Sequence, residues 1–126
     1  MKQGIAWVLL ITDNYSESLS FYRGTLGFKV EREVKEDEFC QFALTNCYLA
    51  IYGRKQIQKL LDSQYLAKPG AAIYSFPDSE NIDYEYETLK SKGVRFIKEP
   101  ITHSWGQRTA YFTDPDGHIW EIQQWL

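Results

Sequence analysis

The 126-residue chain has no run of apolar residues near the roughly 20 that a membrane-crossing helix requires, and no stretch with the layout of a signal peptide. It also has no basic block. Its 14 Lys and Arg against 17 Asp and Glu leave a formal net charge of −3, which argues against a nucleic-acid partner. A cytoplasmic protein, on no membrane, is the default expectation. Cysteine is scarce. Cys40 and Cys47 form no metal or redox motif. In a hairpin turning at Thr45-Asn46 they would share a face but lie several residue rows apart, beyond the ~7 Å Cα limit for a disulfide. They read as two small apolar strand residues. Aromatic residues, by contrast, are abundant: 16%, with four Trp and nine Tyr. So aromatic a small domain is either tightly packed or lined for planar ligands.

Ile5 to Ile11 is a short continuous apolar run, consistent with a buried strand. Tyr15, Leu19, Tyr22 and Leu26 then recur at helical spacing, with Asn14 as cap, Glu17 in the capping-box position and Gly27 at the C-terminal stop. Three antiparallel strands follow, 28–35, 38–44 and 47–52, then a short helical segment over 54–66. The order then repeats. Residues 71–76 form a strand, Ile82, Tyr86 and Leu89 mark a helix ending at Gly93, and residues 94–98, 109–113 and 118–124 supply three strands. "FALTNCYLAI" resembles "YFTDPDGHIWEI" with a shorter turn, which sets Ala50 opposite Glu121 in the repeat. The expectation is an α+β fold, one domain over 1–126. Module one covers about 4–53, a linker helix about 54–67, and module two about 70–126. Each βαβββ module leaves one apolar sheet face to be buried or curled into a cavity. Two side by side predict an eight-stranded, half-open barrel, a cup with helices outside.

Two segments now carry a resemblance. "DNYSESLSFYRGTLGFKV" resembles the first-module signature of the glyoxalase / bleomycin-resistance / extradiol-dioxygenase superfamily, the vicinal oxygen chelate proteins, and "GQRTAYFTDPDGHIWEI" resembles its last. "LAIYGRKQI" and "THSWG" resemble segments of a glyoxalase-like subgroup. In metal-using relatives four inward positions, usually His or Glu, hold a divalent ion. The resemblance puts these positions at Trp7, Ala50, Ala71 (give or take a residue) and Glu121. One carboxylate does not hold a divalent ion, since catalytic sites use about three protein ligands. His103 and His118 read as surface residues, so the expectation is no metal cofactor, a divalent ion at Glu121 being the alternative.

A four-residue turn at 114–117 would set Ala110 opposite Glu121 and Arg108 opposite Gln123. The inward face would then carry Arg108, Ala110, Phe112, Ile119, Glu121 and Gln123, with Arg108 diagonal to Glu121 and pairing with it. Tyr111, Trp120 and Ile122 would face the helices. The first module would contribute Trp7, Gln41, Tyr48 and Tyr52, and Trp105 would either swing as a lid or anchor its loop. The candidate ligand contacts are Trp7, Gln41, Tyr48, Tyr52, Trp105, Arg108, Phe112 and Glu121, with no catalytic residue assigned. An aromatic wall with few polar groups suits a partly planar small molecule. The favoured function is metal-independent binding of a hydrophobic or aromatic compound, as in antibiotic sequestration. The alternative is a glyoxalase-like lyase or isomerase, or a dioxygenase, using an atypical metal site or Glu121 as acid and base. The resemblance also implies a homodimer.

Overall fold

A computed structural model describes residues 3, 5–66 and 72–126. The chain divides into two compact units, Met1–Pro69 and Gly70–Leu126. Each unit is one βαβββ module built on a four-stranded mixed sheet, and the class is α+β as the sequence implies.

In the first unit, β1 (Trp7–Thr12), β2 (Val30–Val34), β3 (Phe39–Phe42) and β4 (Tyr48–Gly53) lie in the order β1-β4-β3-β2. β1 runs parallel to β4, and the other pairs are antiparallel. Helix α1 (Tyr15–Leu19) starts where the Asn14 side chain accepts from the Glu17 backbone N–H at 3.1 Å. The other half of the expected capping box is absent, because the Asn14 N–H donates to the Thr12 hydroxyl. The helix then widens over Ser20–Thr25 and closes with the Leu26 N–H on the Phe21 carbonyl, before Gly27 takes φ +76°. That wider turn carries Tyr22, fully buried, onto Phe28 and Phe42 with ring centroids 5.7 Å away in each case. Leu10, Cys40, Leu49 and Ile51 complete this core. The helical segment expected over 54–66 is instead two single turns, α2 (Arg54–Ile57) and α3 (Ser63–Leu66).

The core also explains the cysteines. Cys40 is fully buried against Tyr15, whose hydroxyl donates to Glu33 at 2.7 Å. Burial, then the Glu33 charge, pushes the Cys40 thiol up to about 11, and burial followed by the same Glu33 bond raises Tyr15 above its ordinary value. Cys47 is partly exposed, and both thiols are free. One thiol per native chain should therefore react with a disulfide reagent near pH 8, the second only after denaturation. Raised folded-state values mean that the unfolded chain gives up these protons first. The stabilisation is complete below the ordinary thiol value and is lost as pH rises toward 11. Cys40→Ala should flatten that alkaline loss of stability in urea titrations; an unchanged slope would show that Cys40 does not contribute.

The second unit repeats the plan with β5 (Ile73–Ser75), β6 (Arg95–Thr102), β7 (Gln107–Thr113) and β8 (Ile119–Trp125) in the order β5-β8-β7-β6. Helix α4 (Ile82–Ser91) is capped by Asn81 and ends before Gly93, which takes φ +87°. Its Ile82 is fully buried, and the Ile82 N–H donates to Gln124 on β8. Phe76, Phe96, Phe112 and Trp120 stack between helix and sheet, with Phe76 4.8 Å from Trp120 and Phe96 5.4 Å from Phe112.

The β7–β8 hairpin departs from the expected register. Thr113 pairs with Ile119, Tyr111 with Glu121 and Phe112 with Trp120. Asp114-Pro115-Asp116-Gly117 is a turn closed by the Gly117 N–H on the Asp114 carbonyl. Gly117 adopts φ +90°, and the Asp114 N–H reaches the His118 carbonyl. This is the three-residue loop in which a type I turn is followed by a left-handed glycine. It takes Asp114 out of the turn and sets it opposite His118, so the partner of every β7 residue moves by one and each β7 side chain changes face relative to Glu121.

Candidate functional site

One face of the first sheet is aromatic and open. Register sets Trp7 beside Tyr48, Leu9 beside Ala50, Ala50 beside Gln41 and Tyr52 beside Phe39. Trp7 lies 4.8 Å from Tyr48 and 6.3 Å from Phe39, and Phe39 lies 5.5 Å from Tyr52. Trp7 is 43% exposed and Tyr48 48%. Gln41 is buried on the same face and donates to Glu31 at 3.3 Å. A cavity of about 300 Å³ adjoins Tyr48 at the end of the strands, between Ile5, Ala6 and the 44–47 loop. Trp7, Gln41, Tyr48 and Tyr52 therefore come together as the sequence implies.

The second sheet differs from its sequence reading. Glu121 is half-buried, flanked in register by Ser75 on β5 and Tyr111 on β7. The Tyr111 hydroxyl donates to Oε2 at 2.6 Å, and the Ser75 hydroxyl to Oε1 at 2.8 Å. The bond to Glu121, then burial, raises the Tyr111 pKa above its ordinary value. Thr109, on the same face, lies 2.7 Å from His103 Nε2. Tyr111 spends its only hydrogen on Glu121. The hydroxyl hydrogens of Tyr111 and Ser75 both point toward the carboxylate.

Arg108 does not pair with Glu121. It lies on the helix side, where its guanidinium makes two bonds to Asp83, at 2.8 and 3.1 Å. That contact lowers the Asp83 pKa and raises that of Arg108. Phe112 is likewise on the helix side and fully buried. Both corrections, and the move of Tyr111 to the Glu121 face, follow from the one-residue change in register. Trp105 is 61% exposed yet tied down. It stacks on His103 with centroids 4.4 Å apart and donates to Gln107 at 2.8 Å. Gln107 in turn donates to Gln123, which bonds the Phe76 carbonyl. These contacts make it the anchor of its loop. Asp114, Asp116 and His118 also come together, with Asp114 accepting from both backbone N–H groups and lying 2.6 Å from the His118 ring. The Asp114 carboxylate and the His118 ring serve the turn.

The chain belongs to the Glyoxalase/Bleomycin resistance protein/Dioxygenase superfamily, whose model matches residues 4–122. It is 25% identical over 123 residues to the uncharacterized protein YraH of Bacillus subtilis, covering 94% of this chain and 96% of that one. It is 28% identical over 119 residues to the metallothiol transferase FosB of Bacillus licheniformis, covering 94% and 73%. A crystal structure of a glyoxalase/bleomycin resistance protein/dioxygenase from Nocardioides superposes with a TM-score of 0.81 at 26% identity, over all of this chain and 85% of that one.

The fold family implies a divalent metal, and the donors here do not fit one. Trp7 offers an indole and Ala50 a methyl group, while Ala71 lies outside the described residues. Both Glu121 oxygens already accept hydroxyl hydrogen bonds. Among the described residues, no group of three or more His, Cys, Asp or Glu with metal-sized spacing includes Glu121. A single carboxylate falls short of the roughly three protein ligands of a catalytic centre.

Proposed function

We propose that this protein binds a planar, largely apolar small molecule without a divalent metal, stacking it on Trp7 and Tyr48. The observation that carries this reading is the pair of large rings, 4.8 Å apart and each nearly half exposed, on one sheet face. Rings left open beside a cavity offer area and polarizability to a flat ligand. Removal of toxic aromatic compounds, antibiotics included, is the corresponding role.

A quinoline-type probe should quench the tryptophan fluorescence with saturation, unchanged by EDTA. Trp7→Leu should weaken binding about tenfold, the value of one good aromatic contact. Purified protein carrying stoichiometric Zn, Ni, Mn or Fe, with binding lost in EDTA, would sink the reading. The second reading is an enzyme with Glu121 as acid and base. It is favoured by the short Tyr111–Glu121 bond and by the transferase activity named for FosB.

A further inference from the structure

We propose that Glu121 is a binding site for a protonated amine: the carboxylate on β8 takes an ammonium or amidinium group whose apolar body lies against Ile73 and Ile119. This rests on the metal-free reading of Glu121 and is independent of the stacking surface in the first unit.

Among the described residues, no cation forms an ion pair with Glu121. The ion pairs among the described residues join Arg54 to Asp13, Arg108 to Asp83 and His118 to Asp114. The nearest cation in register, Lys98, is exposed on the outer strand opposite Tyr111 and is in none of these pairs. Tyr111 and Ser75 are neutral, so they orient the carboxylate without cancelling its charge. A carboxylate has about four lone-pair sites, and two are used here. The remaining ones only accept.

The direction of the two hydroxyl hydrogen bonds sharpens the choice. Tyr111 passes its hydroxyl hydrogen to Glu121, and Ser75 does so from the other side. No hydroxyl hydrogen in this set is left for an anionic ligand, so carboxylates and phosphates find repulsion and no donor. Two residues along, Ile73 pairs with Ile119, and Ile73 is 58% exposed. An acceptor-only charge beside exposed aliphatic surface is complementary to a cation with a small apolar body.

Three probes sharing one ring separate the alternatives: benzylamine, benzyl alcohol and benzoate, each titrated into metal-free protein near neutral pH and followed by backbone amide shifts. Benzylammonium should shift Ser75, Tyr111 and Glu121 and bind on the order of tenfold more tightly than the alcohol. Benzoate should leave those signals in place. Glu121→Gln should abolish the preference for the amine, whereas Tyr111→Phe, which removes a neutral donor, should lower affinity and keep the preference. Equal binding of amine and alcohol, or amine shifts that persist in Glu121→Gln, would overturn the proposal. Stoichiometric Zn²⁺ that displaces the amine would overturn it together with the metal-free reading. Failure of Trp7 stacking alone would leave the amine result standing.

Discussion

Phe112→Ala should lower the unfolding free energy by about 3–5 kcal/mol, the cost of emptying an aromatic core position. The side chain is fully buried, with ring neighbours Phe96 at 5.4 Å and Phe76 at 6.2 Å and Trp120 opposite in register. Few substitutions in the second unit should cost more, because its layer between α4 and the sheet consists largely of these rings. A ligand-contact role, which the uncorrected hairpin register implies, makes the opposite forecast: weaker binding at nearly unchanged stability. Urea titration followed by far-UV circular dichroism separates the two. Where the alanine variant does not fold, Phe112→Leu should still show a loss of about 1.5 kcal/mol or less, since most of the volume is kept. A loss under about 1 kcal/mol for alanine, accompanied by weaker ligand binding, would return Phe112 to the open face.

The two-module plan was legible because its signals are local and redundant. Asn14 and Asn81 both cap helices, Gly27 and Gly93 both follow them with positive φ, and each module ends in three strands. The aromatic face of the first unit was legible too. Its hairpin parity follows from Thr45-Asn46, and Phe39, Gln41, Tyr48, Ala50 and Tyr52 fall on one side as expected. The second site was misread for one reason. Period-2 side-chain alternation turns a single miscounted loop residue into a complete exchange of faces. The information was present in the order of residues. Proline at the second position and glycine at the fourth of Asp114-Pro115-Asp116-Gly117 suit a type I turn with a left-handed residue after it, an odd-length loop. The pair of hydroxyl donors on Glu121, Tyr111 and Ser75, carries no sequence motif. With Glu121 they come from three strands, and only the register brings them together.

If the turn sets that register, Asp114 should be its most sensitive residue outside the aromatic core. Its side chain has no exposed surface. One oxygen accepts from the Asp116 and His118 backbone N–H groups at 3.0 and 2.8 Å, and the other meets the His118 ring at 2.6 Å. Removing the carboxylate leaves these donors without their acceptor, at a cost of about 2–4 kcal/mol for charge-assisted bonds that act as a unit. Asp114→Asn keeps an acceptor oxygen for both backbone N–H groups and should lose only about 1 kcal/mol. The effect should also reach the site. Counting along the ladder from the Asp114–His118 hydrogen bond, Tyr111 and Glu121 form a non-hydrogen-bonded pair, the kind whose side chains approach most closely. In the native protein their Hα protons should give a strong nuclear Overhauser cross-peak, which Asp114→Ala should weaken. Loss of that peak together with reduced amine affinity at Glu121 would tie the turn to the site. An alanine variant within about 0.5 kcal/mol of wild type, with the cross-peak intact, would show instead that Pro115 and Gly117 hold the register without the carboxylate.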